Sequence, residues 1–563
     1  MNKILNRFFD DISPIFMIGV LLVSSFVVAQ DNDDDVEEIV VKGNVLYSDQ
    51  VNALKTPVPI MDVPQTVSIV TDEDIRKQGL REIGDIVRYT PGVNTSQGEG
   101  HRDAVVFRGV RSTADFFQDG NRDDVQYYRS LYNVEQVEIL RGPNALLFGR
   151  GGTGGVINRV SKKAALGETF GAVDFGLDSF GANDIAVDYN TGTGDSTAVR
   201  MMIHSDALEN HRDHYDGRRL GFNPTVKIQM NDTTTLDISY EHADHERYID
   251  RGVPTENGEP VERFEKITFG GNENLTTLKA NILRATLSKQ FSDTRKGNLS
   301  VVSSDFEKMY KNYYASGYTA GASVVTMDGY LDPTERENTI ISGSMVNEVG
   351  KHTLLVGAEL IDTTNNNHRY NTFWSTTSDD NEVFTITRPM NFTVNSAGVA
   401  TNNDFTADLK SKTKSDIDVT SIYIQDQIDV SDNLKLMIGG RHDSFDITVT
   451  DIKAGSAQSR KDSKFSPRAG VIFKPQDNIS WYYSYSESFL PRSGEQYKKL
   501  TASAAALDPD VYESSEVGVK WAISDDLSFT AAYFDSEQTV ATRDESGESA
   551  EIVGLQVDGI ELE

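Results

Sequence analysis

The chain has 563 residues and a formal net charge of −32, from 54 basic and 86 acidic side chains. This balance argues against a nucleic-acid partner, and a site for an anionic ligand has to be local because the chain as a whole repels anions. Mean hydropathy is −0.42 and only the N-terminus carries a long apolar run, which excludes a bundle of membrane-spanning helices. A membrane barrel stays open, because only alternate residues of its strands face lipid. The chain has no cysteine, which fits an exported protein without disulfides but identifies no compartment.

Residues 1–29 read as a secretory signal peptide. Lys3 and Arg7 supply a basic start, residues 15–28 are apolar, and Ala29 ends an acceptable cleavage site. A retained membrane anchor is the alternative, but the apolar run is short and acidic residues follow it directly. The heptad 37–43 (EEIVVKG) then combines acidic residues, which keep a segment soluble, with β-branched residues that can add a strand to a partner's sheet edge.

Between residues 57 and 100 the pattern alternates between short strands and short helices. Residues 66–70 predict a strand, and Thr71 with Asp74 forms a start resembling a capping box. A second helix, over residues 80–87, has its apolar residues on one face and stops at Thr90-Pro91-Gly92. Residues 93–100 form a polar loop, which we expect on the ligand side.

Two short β-type runs then end in an Arg-Gly turn, at Arg108 and again at Arg141. A glycine-rich run follows in which Gly149, Gly151 and Gly154 satisfy the dinucleotide pattern G-x-G-x-x-G. That pattern needs a helix to open at the glycines, whereas residues 156–160 (VINRV) are β-branched and predict a strand. We therefore interpret the glycines as positions of positive φ and close packing where this region meets a surrounding wall.

These motifs, in this order and at this spacing, resemble the plug domain of TonB-dependent outer-membrane receptors, in the siderophore-receptor branch. The resemblance implies a signal peptide at residues 1–29, a periplasmic segment at 30–56, a plug domain at 57–165 and a β-barrel at 166–563. It also makes the acidic heptad similar to a TonB box, the strand that the periplasmic protein TonB binds. The residues assigned to that box are Glu37, Glu38, Ile39, Val40 and Val41.

From about residue 169 the sequence alternates between apolar and polar residues, as in Ile479 to Ser486. About sixteen segments follow the ten-residue pattern of a membrane barrel, which a soluble β-sandwich would not need. The resemblance implies an all-β transmembrane barrel of the 22-stranded family architecture with an α+β plug in its lumen, and the ending at Glu563 predicts that this barrel is incomplete at its C-terminal end. Short turns such as 431–433 and 524–526 are expected in the periplasm. Insertions at 244–277, 311–337, 363–414 and 490–510 are expected outside the cell.

The resemblance further places plug loops at the ligand. Gln97, Arg111, Tyr127 and Tyr128 match those loops, and Arg102, Arg122 and Arg129 are close in sequence. Ferric catecholate and hydroxamate complexes present oxygen-rich surfaces around a flat or apolar body. Arginine supplies charge-assisted donors to such a surface, and tyrosine supplies a flat face with a hydroxyl. For each residue taken alone, a solvated loop position is the alternative.

Family receptors also carry a barrel glutamate in each of two motifs that match this chain at 516–520 (EVGVK) and 559–563 (GIELE). On alternating strands Glu516 and Glu561 point into the lumen, and Arg108 and Arg141 leave the plug at their turns. A carboxylate can meet the planar fork of a guanidinium there. We expect these four residues to form one buried cluster that anchors plug to barrel. The alternative is that the glutamates face lumen water and the arginines bind backbone carbonyls.

The chain shows no catalytic constellation and no full metal-ligand loop, so neither an enzyme nor a cofactor is expected. Asp123-Asp124 could contribute to a calcium site, but a solvated turn is the preferred interpretation. The favoured hypothesis is a monomeric receptor in the outer-membrane lipid of a Gram-negative cell, which binds a ferric siderophore and is opened by TonB. Two alternatives remain: a receptor for another scarce nutrient such as cobalamin or a sugar, and a passive porin, which would need neither plug nor TonB box.

Overall fold

A computed structural model of the chain describes residues 45–49, 51–152, 154–543 and 550–563. The predicted signal peptide and the heptad 37–43 lie outside the described residues. Within the described part of the chain, no helix has both the length and the apolar run needed to cross a membrane.

The N-terminal part, residues 45 to about 165, is a small α+β unit that we call the plug. It contains four 3-10 turns (Val45–Tyr47, Asn52–Leu54, Ile60–Asp62 and Gly98–Gly100). Its helices are α1 (Asp72–Gln78), α2 (Ile83–Val87) and α3 (Ala145–Phe148). Its strands are β1 (Val67–Thr71), β2 (Val93–Thr95), β3 (Val105–Phe107), β4 (Val110–Ser112), β5 (Phe116–Gln118), β6 (Asn121–Arg122), β7 (Val134–Arg141) and β8 (Gly155–Ser161).

The plug strands form a five-stranded sheet, in the order β1-β7-β8-β5-β6, and a three-stranded sheet, β2-β3-β4. Helix α1 begins at the predicted capping box, in which Asp74 N donates to Thr71 Oγ1 at 3.2 Å and Thr71 N donates to Asp74 Oδ2 at 3.1 Å. It ends at Gly79, whose φ of 64° favours glycine. The apolar faces of both first helices pack on the larger sheet around Ile83, Ile139 and Ile157.

The rest of the chain is a wall of long antiparallel strands. In chain order the strands are β9 (Phe170–Leu177), β10 (Asn183–Gly192), β11 (Thr197–Glu209), β12 (Asp216–Asn231), β13 (Thr234–Tyr248), β14 (Thr255–Glu256), β15 (Glu259–Pro260), β16 (Leu275–Ser292), β17 (Arg295–Thr319), β18 (Val324–Leu331), β19 (Thr334–Val349), β20 (His352–Asn371), β21 (Glu382–Thr385), β22 (Asp408–Ser431), β23 (Leu434–Asp451), β24 (Ser456–Gln476), β25 (Ile479–Leu490), β26 (Asp510–Ser524), β27 (Leu527–Arg543) and β28 (Ala550–Leu562). A 3-10 turn, Glu262–Phe264, and a short helix α4, Ala502–Ala505, lie in the loops.

Strands β14 and β15 lie in a loop, and β18 and β21 only extend the wall at one end, which leaves sixteen full wall strands among the described residues. Sixteen is the number that the ten-residue alternation predicts, and the wall does not have the 22 strands of the larger architecture. The strand order is closed, with β28 next to β9. Alternation is visible in β25, where Trp481 and Tyr483 are exposed on the outer face while Ser480 and Tyr482 are buried on the inner face. An apolar outer face is what a lipid environment requires.

The two ends of the wall differ. Turns such as those at 432–433 and 525–526 are short, and the loops at the opposite end are long. The long loops are shorter than predicted, because the strands continue into the expected insertions: β17 runs 25 residues to Thr319, and β18 and β21 extend the sheet beyond it. The plug lies inside the wall, with contacts from Arg81 to Asp184 of β10, from Gln118 to Arg284 of β16, and from Gln65 to Arg468 of β24.

Candidate functional site

Arg108 leaves the plug at a tight turn directly after β3. Its backbone has a left-handed φ of 46°, and Gly109 follows with a φ of 82°, so the strand ends and the side chain reaches the wall. The guanidinium donates to both oxygens of Glu561, each at 2.8 Å, and to Glu516 Oε2 at 2.6 Å. It also lies 4.1 Å from the centre of the Phe534 ring, which completes its enclosure.

Arg141 reaches the same place from the end of β7. Its Nη1 lies 3.5 Å from Glu561 Oε2, and its Nη2 donates to Glu563 at 2.8 Å and to the Ser68 hydroxyl. The structure thus brings together all four residues predicted to anchor the plug, and Glu563 joins them. All four are buried, with 6% or less of each residue exposed. We call Arg108, Arg141, Glu516, Glu561 and Glu563 the anchor cluster.

The carboxylates of the anchor cluster are also bonded to neutral donors. Glu516 Oε1 accepts from Thr66 N at 3.0 Å, from Thr66 Oγ1 at 2.7 Å and from the Tyr482 hydroxyl at 2.6 Å. Glu561 lies against Gly92, where an added Cβ would come within 1.8 Å of Glu561 Oε1 and where φ is 70°. Only glycine fits there, which explains the Thr90-Pro91-Gly92 stop after α2.

The predicted ligand residues separate into two groups. Gln97 and Arg111 are exposed, and Tyr128 is half-buried beneath the Arg247 guanidinium. Arg102 lines a cavity between plug and wall. Gln97 donates to the Asp250 carbonyl, and Arg111 Nη2 donates to Ser96 Oγ at 3.3 Å. All four lie at the long-loop end, so a ligand arriving from that side can meet them.

Arg122, Tyr127 and Arg129 form the second group, and their side chains make contacts inside the plug. Tyr127 is 6% exposed and Arg129 is fully buried. The Tyr127 hydroxyl and Arg129 Nε both donate to Asp123 Oδ2, at 2.8 and 2.9 Å. Arg122 Nη1 donates to the Ala114 carbonyl at 3.3 Å, and its Nη2 donates to the Phe148 carbonyl at 3.1 Å. These side chains cross-link the interior of the plug.

Asp123 and Asp124 are likewise buried, so their interpretation as a solvated turn is wrong. Asp124 accepts from Arg336 of the wall at 2.7 Å, while Arg129 and Arg159 both contact Asp123. Burial by itself would raise the pKa of the Asp123 carboxyl, but the two guanidiniums outweigh it and hold that pKa below its usual range. Among the described residues no group of side chains is arranged to hold a metal ion.

A cavity of about 200 Å³ lies between plug and wall at the long-loop end. We call it the apical cavity. Its lining includes Glu99, His101, Arg102 and Gln126 of the plug, Lys308, Tyr310, Tyr330, Asp332, Thr334 and Arg369 of the wall, and Gln496 and Lys498 of the loop after β25. Of the predicted ligand residues only Arg102 lines it. The wall and loop residues were missed because they lie hundreds of residues from the plug and follow no motif.

His101 sits at the centre of this lining. Its ring stacks on Tyr310 with centroids 3.8 Å apart, Nδ1 lies 2.7 Å from Lys308 Nζ, and Nε2 contacts Arg102. Burial, and then the neighbouring Lys308 charge, lower the pKa of His101 well below its usual value. The imidazole is therefore neutral at neutral pH.

The loop at 491–500 joins the apical cavity to the plug. Gln496 and Lys498 line the cavity, and Tyr497 between them turns inward with a φ of 55°. The Tyr497 hydroxyl donates to Asp124 Oδ2 at 2.8 Å and accepts from Arg150 Nε at 3.0 Å. The sequence predicts an external loop for this segment and gives no signal that it enters the lumen.

Two family models match the chain: the plug domain of TonB-dependent receptors over residues 59–156, and the TonB-dependent receptor-like β-barrel over residues 221–562. The chain belongs to the TonB-dependent receptor family. It is therefore an outer-membrane barrel protein with a plug. A probable TonB-dependent siderophore receptor, PiuA of Acinetobacter baumannii, is 25% identical over 92% of this chain and 74% of its own length. The ferrioxamine B receptor of Salmonella typhimurium is 25% identical over 91% and 73%.

Solved structures share the fold. The crystal structure of PiuA from Acinetobacter baumannii superposes with a TM-score of 0.82 at 21% identity, over 92% of this chain and 79% of that one. The closed form of the ferric-catecholate import receptor Fiu from Escherichia coli gives 0.78 at 18% identity, over 92% and 80%.

Two further features of this family member concern how the plug is held in the wall. Residues 45–65, which we call the strap, run between the plug sheet and the short-turn end of the wall. Lys520 Nζ donates to the Ile60 carbonyl at 2.7 Å, and Asp62 meets Lys474 at 2.9 Å. On the plug side, Glu138 accepts from Asn52 N at 2.7 Å and from Ala53 N at 2.8 Å. The strap is therefore bonded to both plug and wall.

The glycine-rich run of the plug is followed directly by strand β8 at Gly155, so no helix opens there as a dinucleotide site requires. A Cβ on Gly154 would come within 2.6 Å of the Phe107 carbonyl oxygen, and one on Gly149 within 2.8 Å of the wall residue Arg441. The predicted close packing thus occurs against the wall at Gly149 and inside the plug at Gly154.

Proposed function

We propose that this receptor takes up a ferric siderophore across the outer membrane. The ligand binds in the apical cavity and against the exposed plug residues above it, and TonB pulls on the heptad 37–43 to open the plug. The observation that carries the proposal is the composition of the cavity, in which Glu99, His101 and Arg102 of the plug face side chains of the wall. A ligand there touches the part of the molecule that has to move.

The alternatives explain these contacts less well. A passive porin needs an open lumen, whereas this lumen holds a plug tied to the wall by the buried anchor cluster. Several cationic side chains around one small cavity do not fit a sugar receptor, because a neutral polyol gains little binding free energy from charged donors. The names of the relatives, a siderophore receptor and a ferrioxamine B receptor, point to iron as well. These proteins are receptors, which agrees with a protein that transports and does not catalyse.

The strap supports a role for the N-terminal segment in energy coupling. Force applied before residue 45 reaches the strap first and then Glu138, which holds the strap to strand β7. Residues 37–43 can add a strand to the sheet edge of TonB, and the backbone donors of that strand are essential to such pairing.

Ile39→Pro tests this coupling, because proline removes a backbone donor and disturbs strand pairing. In cells that depend on this receptor we expect the variant to bind the ferric siderophore at the surface but to import none. Ile39→Val, which keeps both the donor and the β-branched shape, serves as the matched control and should import normally. Normal import by Ile39→Pro would reject the role of the heptad.

A further inference from the structure

The apical cavity is cationic in a protein that is strongly anionic. The lining contributes four basic side chains, Arg102, Lys308, Arg369 and Lys498, against the two carboxylates of Glu99 and Asp332. The chain as a whole carries a net charge of −32. The local excess of positive charge therefore runs against the composition of the chain, and excess charge of this kind favours an anionic ligand.

The two carboxylates do not neutralise all four cations. Asp332 meets Lys498 at 3.0 Å and Arg369 at 3.8 Å. Glu99 meets Arg102 at 2.6 Å, and Arg251 behind the cavity shares it at 3.7 Å. Among the described residues no carboxylate lies within salt-bridge distance of Lys308, which is 7% exposed. Burial of an ammonium group without a counter-ion is costly, so Lys308 gains most from an anion.

Hydrogen-bond donors also exceed acceptors beside Lys308. Lys308 Nζ lies 2.7 Å from His101 Nδ1, which can accept only one of its three N–H groups. The other ring nitrogen of His101 faces Arg102 Nη1 and Glu99, and Arg102 Nη1 donates to Glu99 Oε2 at 2.6 Å. Arg102 is 9% exposed, and its buried Nε has no hydrogen-bond partner among the described residues. The remaining N–H groups of Lys308 Nζ and Arg102 Nε can bond an acceptor that carries charge, such as a deprotonated oxygen of a ligand.

The aromatic residues of the cavity add a second requirement. Tyr310 and Tyr330 stand edge to face with ring centres 5.2 Å apart, and the Arg369 guanidinium lies 3.5 Å from the Tyr330 ring centre. His101 covers one face of Tyr310 and Arg369 covers one face of Tyr330, so a planar ring in the cavity would meet the remaining parts of these rings, in the edge-to-face or offset geometry that aromatic rings prefer. The cavity volume of about 200 Å³ is below the usual range for a drug-sized ligand, so it holds one arm of a larger complex.

We propose that the apical cavity binds a trianionic ferric complex of the catecholate class by one of its aromatic arms, and that it discriminates against cationic ferric trihydroxamates. A catecholate arm offers two deprotonated oxygens on a planar ring, which match the donors of Lys308 and Arg102 and the rings of Tyr310 and Tyr330. A hydroxamate arm has no aromatic ring, and a complex with a free ammonium tail would bring a further cation to the cavity. This inference rests on the proposed function, because it names the class of siderophore.

The test measures equilibrium binding of two probes to the purified full chain in detergent micelles. The probes are the ferric complex of a synthetic tricatecholamide, which is trianionic, and ferrioxamine B, which is cationic. We expect the tricatecholamide complex to bind more tightly than ferrioxamine B. Lys308→Met should weaken the tricatecholamide complex by roughly tenfold or more, because a charged hydrogen bond is lost, and should leave ferrioxamine B binding equal or tighter.

Lys461→Met is the matched control, because it removes the same charge from an exposed side chain, 66% accessible, on the wall. It should change neither affinity. Thermal unfolding separates binding from folding: Lys308→Met removes a buried cation without a carboxylate partner, so it should unfold at the same temperature as the unaltered chain or higher. If Lys308→Met nonetheless fails to fold, Arg369→Gln repeats the test, since its side chain is 37% exposed and tolerates change.

The outcomes are distinct. Tighter binding of ferrioxamine B, or an unchanged tricatecholamide affinity in folded Lys308→Met and Arg369→Gln, would overturn the catecholate assignment and leave a siderophore receptor in place. Binding of ferric citrate, which is anionic but not aromatic, in preference to the tricatecholamide complex would also overturn it. Failure of all three complexes to bind would reject the proposed function and the inference with it.

Discussion

The plug meets the wall through two charged regions that are composed differently. In the anchor cluster, Arg108 and Arg141 face three glutamates, and Glu516 also accepts from Thr66 and Tyr482. In the apical cavity, four cations face two carboxylates around about 200 Å³ of empty space. The anchor cluster lies deep between β1, β3 and β26, and the cavity is at the long-loop end.

The charges of the anchor cluster stabilise the fold, whereas the charges of the apical cavity can pair with a ligand. Buried ions are tolerated where each is paired with an opposite charge. In the anchor cluster each guanidinium meets at least one carboxylate, although Arg108 Nη1, Arg141 Nε and Arg141 Nη1 have no hydrogen-bond partner among the described residues. The cavity differs in this pairing, since Lys308 lacks a carboxylate partner within salt-bridge distance among the described residues. Substitutions should therefore reduce stability in the first region and ligand affinity in the second.

The largest effect is expected from Glu516→Ala. The change removes one of the two carboxylates that pair with the Arg108 guanidinium, so that Glu561 has to neutralise it alone. It also removes the acceptor for Thr66 N. Breaking a buried pair costs roughly 3–5 kcal/mol. Hydrogen exchange of the β1 amides in the purified chain should report a loss of opening free energy of that size, with siderophore affinity changed only through plug stability.

Glu513→Ala is the matched control, because Glu513 lies on the same strand and is exposed on the other face. Equal exchange rates in Glu516→Ala and Glu513→Ala would show that the anchor cluster does not hold the plug. They would also remove the distinction between the two regions.

A smaller effect is expected from Tyr497→Phe, which tests whether the loop at 491–500 connects the apical cavity to the interior of the plug. The change removes the hydroxyl shared by Asp124 and Arg150 and leaves the ring in place. Loss of a hydrogen bond to charged groups in a buried site costs about 1–3 kcal/mol. Exchange of the loop amides should increase, and ligand affinity should fall because Gln496 and Lys498 lose their fixed positions.

The corresponding control is Tyr485→Phe, which removes a partly exposed hydroxyl that donates to Glu487 at 2.8 Å. It should alter neither loop exchange nor affinity. A Tyr497→Phe variant with unaltered loop exchange would show that the hydroxyl is not what holds this loop in the lumen.

Local chemistry explains which features could be predicted from the sequence. The capping box at Thr71 and Asp74, the stop at Gly92 and the strand at β8 depend on neighbouring residues, and the structure has all three. The alternation of the wall strands depends on which residues face lipid, and it predicts sixteen strands. The convergence of Arg108 and Glu516 was available only from the resemblance to a family, because 408 residues separate them.

Enclosure by the wall explains what the sequence could not show. A segment rich in Asp, Arg and Tyr, such as 122–129, has the composition of a solvated loop, and Asp123 and Arg129 look exposed for that reason. The wall excludes water from this segment, and the opposite charges then pair with each other. Lys308 and Arg369 give no signal at all, since each is a single polar residue on an alternating strand and only the barrel brings them to the plug.

The smallest effect is expected from Arg111→Ala, which tests a charge at the outer edge of the apical cavity. Arg111 is exposed and donates only to Ser96 Oγ at 3.3 Å, so its charge is largely hydrated. A charge at the rim of a site attracts an oppositely charged ligand during approach and adds little once it is bound. The association rate of the ferric tricatecholamide complex should fall by at most about fivefold at low salt, comparable to one exposed ion pair, and the difference should vanish at high salt.

Arg76→Ala on α1, where Arg76 pairs with Asp72 at 3.3 Å, removes an equal charge and should leave the rate unchanged. A faster dissociation of the complex from Arg111→Ala that persists at high salt would place Arg111 in direct contact with the bound ligand. The site would then extend beyond the apical cavity.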